Sequence, residues 1–120
     1  TGELAPVRAL FEALAPQVTH YKCCSTFDSA PTVGNIGRVI ELSRQIFSQP
    51  VVPIVAGTPA LGRYCLFGHL FARSGTDGEV YRIDRHPIMS VHPVTPADDS
   101  DLQLNLQRQG SLSVARLEFP

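Results

Sequence analysis

Tryptophan is absent from the 120 residues, methionine occurs once, at Met89, and lysine once, at Lys22. Ten basic residues are spread thinly against eleven acidic ones, for a formal charge of −1. No Lys/Arg cluster exists to follow a phosphate backbone, so no nucleic-acid partner is expected. Apolar runs such as "VVPIVAG" (residues 51–57) fall far short of a bilayer span, and no membrane partner is expected either. No charged-then-apolar leader is legible, hence no secretory or mitochondrial address. Three cysteines, with Cys23 and Cys24 adjacent, make no disulfide framework: neighbours rarely reach disulfide geometry, and an odd count leaves a thiol over. Reduced thiols in a cytoplasmic protein are the simplest expectation. Four histidines and three cysteines show no CxxC or HxxxH spacing, so no structural metal is expected. The GxSxG elbow of a serine hydrolase is missing too.

What is present suits one folded domain. Apolar content is 43% and mean hydropathy is +0.03, values of a globular chain. The length allows a single core. The sequence starts at Thr1 and stops at Phe119-Pro120, and is read as a piece of something longer.

Val7, Leu10, Phe11 and Leu14 follow helical spacing, with Pro6 in a first turn and Pro16 ending the run. "VTHYKCC" (residues 18–24) reads as a strand, followed by a polar loop from Ser25 to Gly34. A second amphipathic helix presents Ile36, Val39, Ile40, Ser43, Ile46 and Phe47 inward, with Asn35 as its cap. Residues 51–57 read as a buried strand in which Pro53 marks an edge or bulge. "YCLFGHLFA" and "EVYRID" flank "RSGTDG", where Asp77-Gly78 signals a hairpin. Asp98, Asp99, Ser100 and Asp101 crowd the start of a third helix, Gly110 ends it, and "SLSVARLEF" reads as a last strand. The order predicts an α/β fold: a partly parallel sheet flanked by helices, with a β-hairpin.

In open parallel sheets, ligands sit beyond the carboxyl ends of strands, where Ser25 to Ser29 would lie. The loop ends at "GNIG", whose Gly34 and Gly37 permit close backbone approach at a helix amino end suited to an anion. Ser25, Thr26 and Ser29 offer hydroxyls, Asp28 accepts hydrogen bonds, and Lys22 brings positive charge. Together they fit a small sugar acid. The same residues are also what any strand-to-helix loop contains, and both readings stay open here. Arg63 follows a Pro/Gly-rich turn and carries a fork suited to a carboxylate. His69 inside a strand reads as structural first. Asp28 as a phosphatase nucleophile, and Asp98/Asp99 as a magnesium pair, are alternatives of lower weight, the latter because helix-start acids need no metal.

"KCCSTFDSAPTVGNIGRVIEL", "VVPIVAGTPALGRYCLFGHLFA" and "RIDRHPIMSVHPVTPADDSDL" resemble three consecutive blocks of the four-carbon acid sugar kinase family, from Tyr21 to Gln109. The resemblance implies an ATP- and Mg2+-dependent kinase that phosphorylates a hydroxyl of a tetronate-like acid. Its amino-terminal domain binds the acid and its carboxyl-terminal domain the nucleotide. It also implies that Ser25, Thr26, Asp28, Ser29, Gly34, Gly37, Arg63, Gly68, His69, His92 and Thr95, with Lys22 beside them, bind substrate; the catalytic residues stay unassigned. The family's upstream acidic turn "DD.TGA" and its glycine-rich nucleotide half have no counterpart here, and Ala97 stands where members often carry methionine. These residues are therefore expected to be one segment of the sugar-acid-binding domain, inactive alone, with the nucleotide-binding domain as partner. An open sheet edge would invite a homodimer. A non-catalytic anion sensor is the alternative.

Overall fold

The computed structural model describes residues 5–14 and 16–118. Helix α1 (Ala5–Leu14) carries Pro6 in its first turn and buries only Phe11, whose ring lies 5.4 Å from that of Phe47. Phe47 belongs to α2 (Ile36–Phe47), which buries Ile36, Val39 and Leu42 as its 3.6-residue period requires. Asn35 caps α2 as expected, its side chain accepting from the Arg38 N–H at 2.7 Å.

The sheet has three strands, β1 (Arg63–Leu66), β2 (His69–Arg73) and β3 (Val80–Arg82), in the order β1-β2-β3 with both pairings antiparallel. Leu70 and Ala72, two residues apart on β2, face the core at 1% and 0% exposure. Register sets Cys65 opposite Leu70 and Arg63 opposite Ala72, on that same inner face. Around them gather Phe27, Ile36, Ile83, Leu102 and Leu106. The last two belong to α3 (Leu102–Gln107), which starts at Asp101, a cap accepting from the Gln103 and Leu104 N–H groups. No helix of the described residues is long and apolar enough to cross a membrane.

The partly parallel sheet is not what forms. Residues 18–24, 51–57 and 111–118 carry strand-like sequence, yet make no ladder among the described residues; Phe119, the end of the expected last strand, lies outside them. Val18 is 82% exposed and Val55 92%. Propensity favours an extended backbone; a ladder also needs a neighbouring backbone in register to receive its N–H and C=O groups, and no strand pairs with these stretches among the described residues. "YCLFGHLFA" is not one strand but a hairpin, turning at Phe67 (φ 50°) and Gly68 (φ 78°), the two positive φ values of a two-residue turn that matches strand twist. The second hairpin forms as expected, but by a wider closure than Asp77-Gly78: the Ser74 N–H donates to Glu79 O, and Gly75 takes the positive φ.

Candidate functional site

The polar loop is built on a pinned bend. The Phe27 N–H donates to Cys24 O at 2.9 Å, and Phe27 sits at φ 58° while only 7% exposed. Left-handed backbone costs a non-glycine residue about 1–2 kcal/mol. Full burial of a phenylalanine side chain is worth about 1.5–3 kcal/mol, enough to offset it. The bend thereby turns Thr26 and Asp28 away from the core. Thr26 Oγ1 donates to Asp28 Oδ1 at 2.7 Å, and Cys24 Sγ lies 3.1 Å from the same hydroxyl. With the Thr26 proton given to the carboxylate, the thiol is the donor in that second contact.

At the amino end of α2, the chain supplies its own acceptors. Ser29 Oγ accepts from the Ile36 N–H at 3.2 Å, Gln109 Oε1 from the Gly37 N–H at 3.0 Å, and Asn35 Oδ1 from the Arg38 N–H. The anion expected there would find these donors already taken. Gly37 is explained by packing, since a Cβ there would stand 2.9 Å from Gln109 Cβ. Gly34 holds a positive φ of 60° in the turn before the cap.

A hollow does form beside the bend. Thr26, Asp28, Thr95, Asp99 and Asn105 surround a floor that includes Leu70 and Leu102. Its enclosed volume is about 20 Å³, room for roughly one water. Thr95 is buried, and its N–H donates to His92 Nδ1 at 3.0 Å. That nitrogen is therefore the unprotonated one, and Thr95 Oγ1, 3.1 Å away, donates to it as well. His92 thus orients Thr95 from outside the hollow. Asp99 Oδ1 accepts from the Asp101 N–H, and its Oδ2 faces Arg108 at 3.1 Å.

Other expected site residues lie elsewhere. His69 Nδ1 is 2.9 Å from Ser100 Oγ; Gly68 O accepts from the Leu102 N–H, and Arg116 lies over Gly68. Ser25 is half-buried beside the bend, and Lys22 is exposed. Arg63 does not line the hollow; its Nη1 donates to Leu61 O, and its Nε is buried without a partner among the described residues. Arg63 and the Thr26–Asp28 bend thus share no hollow among the described residues. The reason is register: pairing with Ala72 carries Arg63 two residues along the sheet from Leu70.

Burial raises the thiols of Cys23 and Cys65, which keeps them protonated and poor nucleophiles at neutral pH. At Asp101, burial opposes ionisation. The N–H groups of Leu104 and Gln103 and the Arg116 guanidinium outweigh it, holding that carboxyl below the usual aspartate range. No group of three or more His, Cys, Asp or Glu residues among the described ones is arranged to hold a metal ion.

Sequence reasoning missed Asn105 and Gln109, and weighed Asp99 as a helix-start acid or, with lower weight, a magnesium ligand, not as part of a sugar-acid site. A signal existed: Asp101, Asn105 and Gln109 recur every fourth residue along "DLQLNLQRQ", a polar stripe on an otherwise leucine-rich turn.

The family described as a sugar-binding N-terminal domain matches residues 3–120. The chain is 50% identical, over 117 residues, to a 3-oxo-isoapionate kinase of Paraburkholderia graminis, a match spanning 98% of this chain and 24% of that relative. It is 34% identical over 99 residues to a 3-oxo-tetronate kinase of Pseudomonas fluorescens, covering 82% of this chain and 21% of the relative. Among solved structures, Haemophilus influenzae protein HI1011 superposes with a TM-score of 0.70 at 29% identity, over 84% of this chain and 23% of that one. The chain spans about a quarter of the length of these relatives.

Proposed function

The chain belongs to the sugar-binding N-terminal domain family, and from that premise we propose that it is the acceptor-binding part of a kinase acting on a hydroxyl of a small, tetronate-like sugar acid. One observation carries the reading: two stretches far apart in sequence, around Thr26–Asp28 and Thr95–Asn105, bring their polar side chains to one hollow. Thr26 and Thr95 have given their protons away, and Asp28 and Asp99 are carboxylates, so the wall is rich in acceptors. Such a wall reads hydroxyl donors and repels a carboxylate. The acid group of the substrate then belongs away from this wall, on the side of a cation such as the exposed Lys22. Ser25 sits in the bend, and Ser29 ties the loop to α2. Gly34, Gly37, Gly68, His69 and His92 frame the site rather than line the hollow.

Phosphoryl transfer depends chiefly on positioning the acceptor hydroxyl and on stabilising charge. The residues described here fit the first task. They do not fit the second: Asp98 and Asp99 are engaged by Arg108, and no set of ligands for Mg2+ is assembled. ATP and Mg2+ are therefore assigned to the rest of the protein, a nucleotide-binding domain that closes on this wall. The whole is proposed to be cytoplasmic, in keeping with three free thiols.

An ADP-release assay with 3-oxo-tetronate and 3-oxo-isoapionate tests the proposal. The full-length protein is expected to turn over at least one of them, and residues 1–120 alone neither. Turnover by the 120 residues alone, or none by the full-length protein with any small sugar acid, would overturn it.

A further inference from the structure

The hydrogen bonds behind the hollow run in one direction, and backbone donors set that direction. A backbone N–H can only donate, so the Gly37 N–H, 3.0 Å away, identifies the Gln109 atom facing it as the carbonyl oxygen. The buried Ser29 hydroxyl accepts from the Ile36 N–H and donates to that same oxygen at 2.8 Å. Gln109 Nε2 must then point the other way, where it donates to Asn105 Oδ1 at 2.7 Å. The Asn105 carbonyl is consumed by this contact. Its Nδ2 has no partner among the described residues, and Asn105 lines the hollow. The donor character of the α2 amino end is thus handed on through two side-chain amides instead of being shown to the ligand directly.

Asn105 is also the one residue lining the hollow, among those described, whose side chain carries an N–H. The geometry points to Asn105 as the specificity-determining donor of this wall, with Gln109 as the residue that positions it. This inference rests on the sugar-acid function proposed above and deepens it. An oxygen with no proton to give, such as the keto oxygen of an oxo-acid, finds acceptors at Thr26, Asp28, Thr95 and Asp99 but a donor at Asn105. A hydroxyl can bridge the two kinds. The wall therefore sorts the ligand's oxygens by whether they carry a proton.

Two substitutions separate the chemistry from mere structure. Asn105→Asp replaces the donor by an acceptor of the same shape. Gln109→Glu keeps the acceptors for Ser29 and Gly37 but can no longer donate to Asn105, whose amide then turns over and shows its oxygen to the hollow. At mildly alkaline pH the new carboxylate stays ionised beside the α2 amino end. Titration calorimetry on the full-length protein with 3-oxo-tetronate and 3-oxo-isoapionate is expected to give both variants the same loss, a Kd raised about tenfold or more, while each remains folded. With isotope-labelled asparagine, the Asn105 amide protons should exchange rapidly in the parent and become protected in the Gln109→Glu variant. Binding to the parent with unchanged affinity in Asn105→Asp or Gln109→Glu, or an Asn105 amide already protected in the parent, overturns this inference and leaves the function standing. A parent that binds neither acid overturns the functional reading and this inference with it.

Discussion

The β1–β2 hairpin and the two strand-like stretches before it, residues 18–24 and 51–57, carry similar sequence and end in opposite states. Both are short and rich in β-branched or aromatic residues. The hairpin closes on itself through Phe67-Gly68, so each of its strands finds a partner four residues or fewer beyond the turn. Its inner face then buries Leu70 and Ala72 completely. The earlier stretches have no such local partner, and only Cys23 and Ala56 of them pack against the core. A strand-like pattern therefore states a capacity for pairing, and a nearby turn decides whether it is used.

That contrast can be broken most forcefully at its buried end. Leu70→Ala should cost about 2–5 kcal/mol, read from urea or thermal unfolding of the full-length protein. A loss under about 1 kcal/mol would mean that the hairpin does not organise the core. A second test bears on the hairpin's junction with α3, where Asp101 caps the helix, pairs with Arg116 and bridges to His69. Because its carboxyl is held below the ordinary value near 3.8, its stabilisation is fully present above that pH. It is lost as the pH falls through the lower folded value. Asp84, lowered mainly by its hydrogen bond from Arg82, adds to the same acid limb. The Asp101→Asn variant should melt lower than its parent at neutral pH and approach it as the pH drops toward 3; a constant gap would contradict the assignment.

The other side of the contrast makes smaller demands. The isolated 120 residues should self-associate, because residues 18–24 and 51–57 present unpaired backbone and exposed valines. Light scattering that reports a monomer at high concentration would count against this. Val55→Lys should reduce that association yet leave unfolding within about 0.5 kcal/mol of the parent, as expected for an exposed position.

Helix α2 and its Asn35 cap were legible in the sequence because their signals are local, within one turn of backbone. So was the polar loop as a place where hydroxyls and a carboxylate collect. Its junction with α2 was not. The α2 amino end looks open from residues 34–38 alone, and the acceptor that closes it, Gln109, arrives from 72 positions away from Gly37. Arg63 shows the same limit from the other direction: its residue type fits a carboxylate, but strand register, which no local motif reveals, sets it apart from the Thr26–Asp28 bend.

In the proposed function, a wall of Thr26, Asp28 and Thr95 touches a sugar acid's hydroxyls. Methyl resonances of the two threonines, followed while 3-oxo-tetronate is added to the full-length protein, test this most directly. Both should shift and saturate together, with Val55 unmoved. Saturable binding that leaves both threonines unchanged would contradict it.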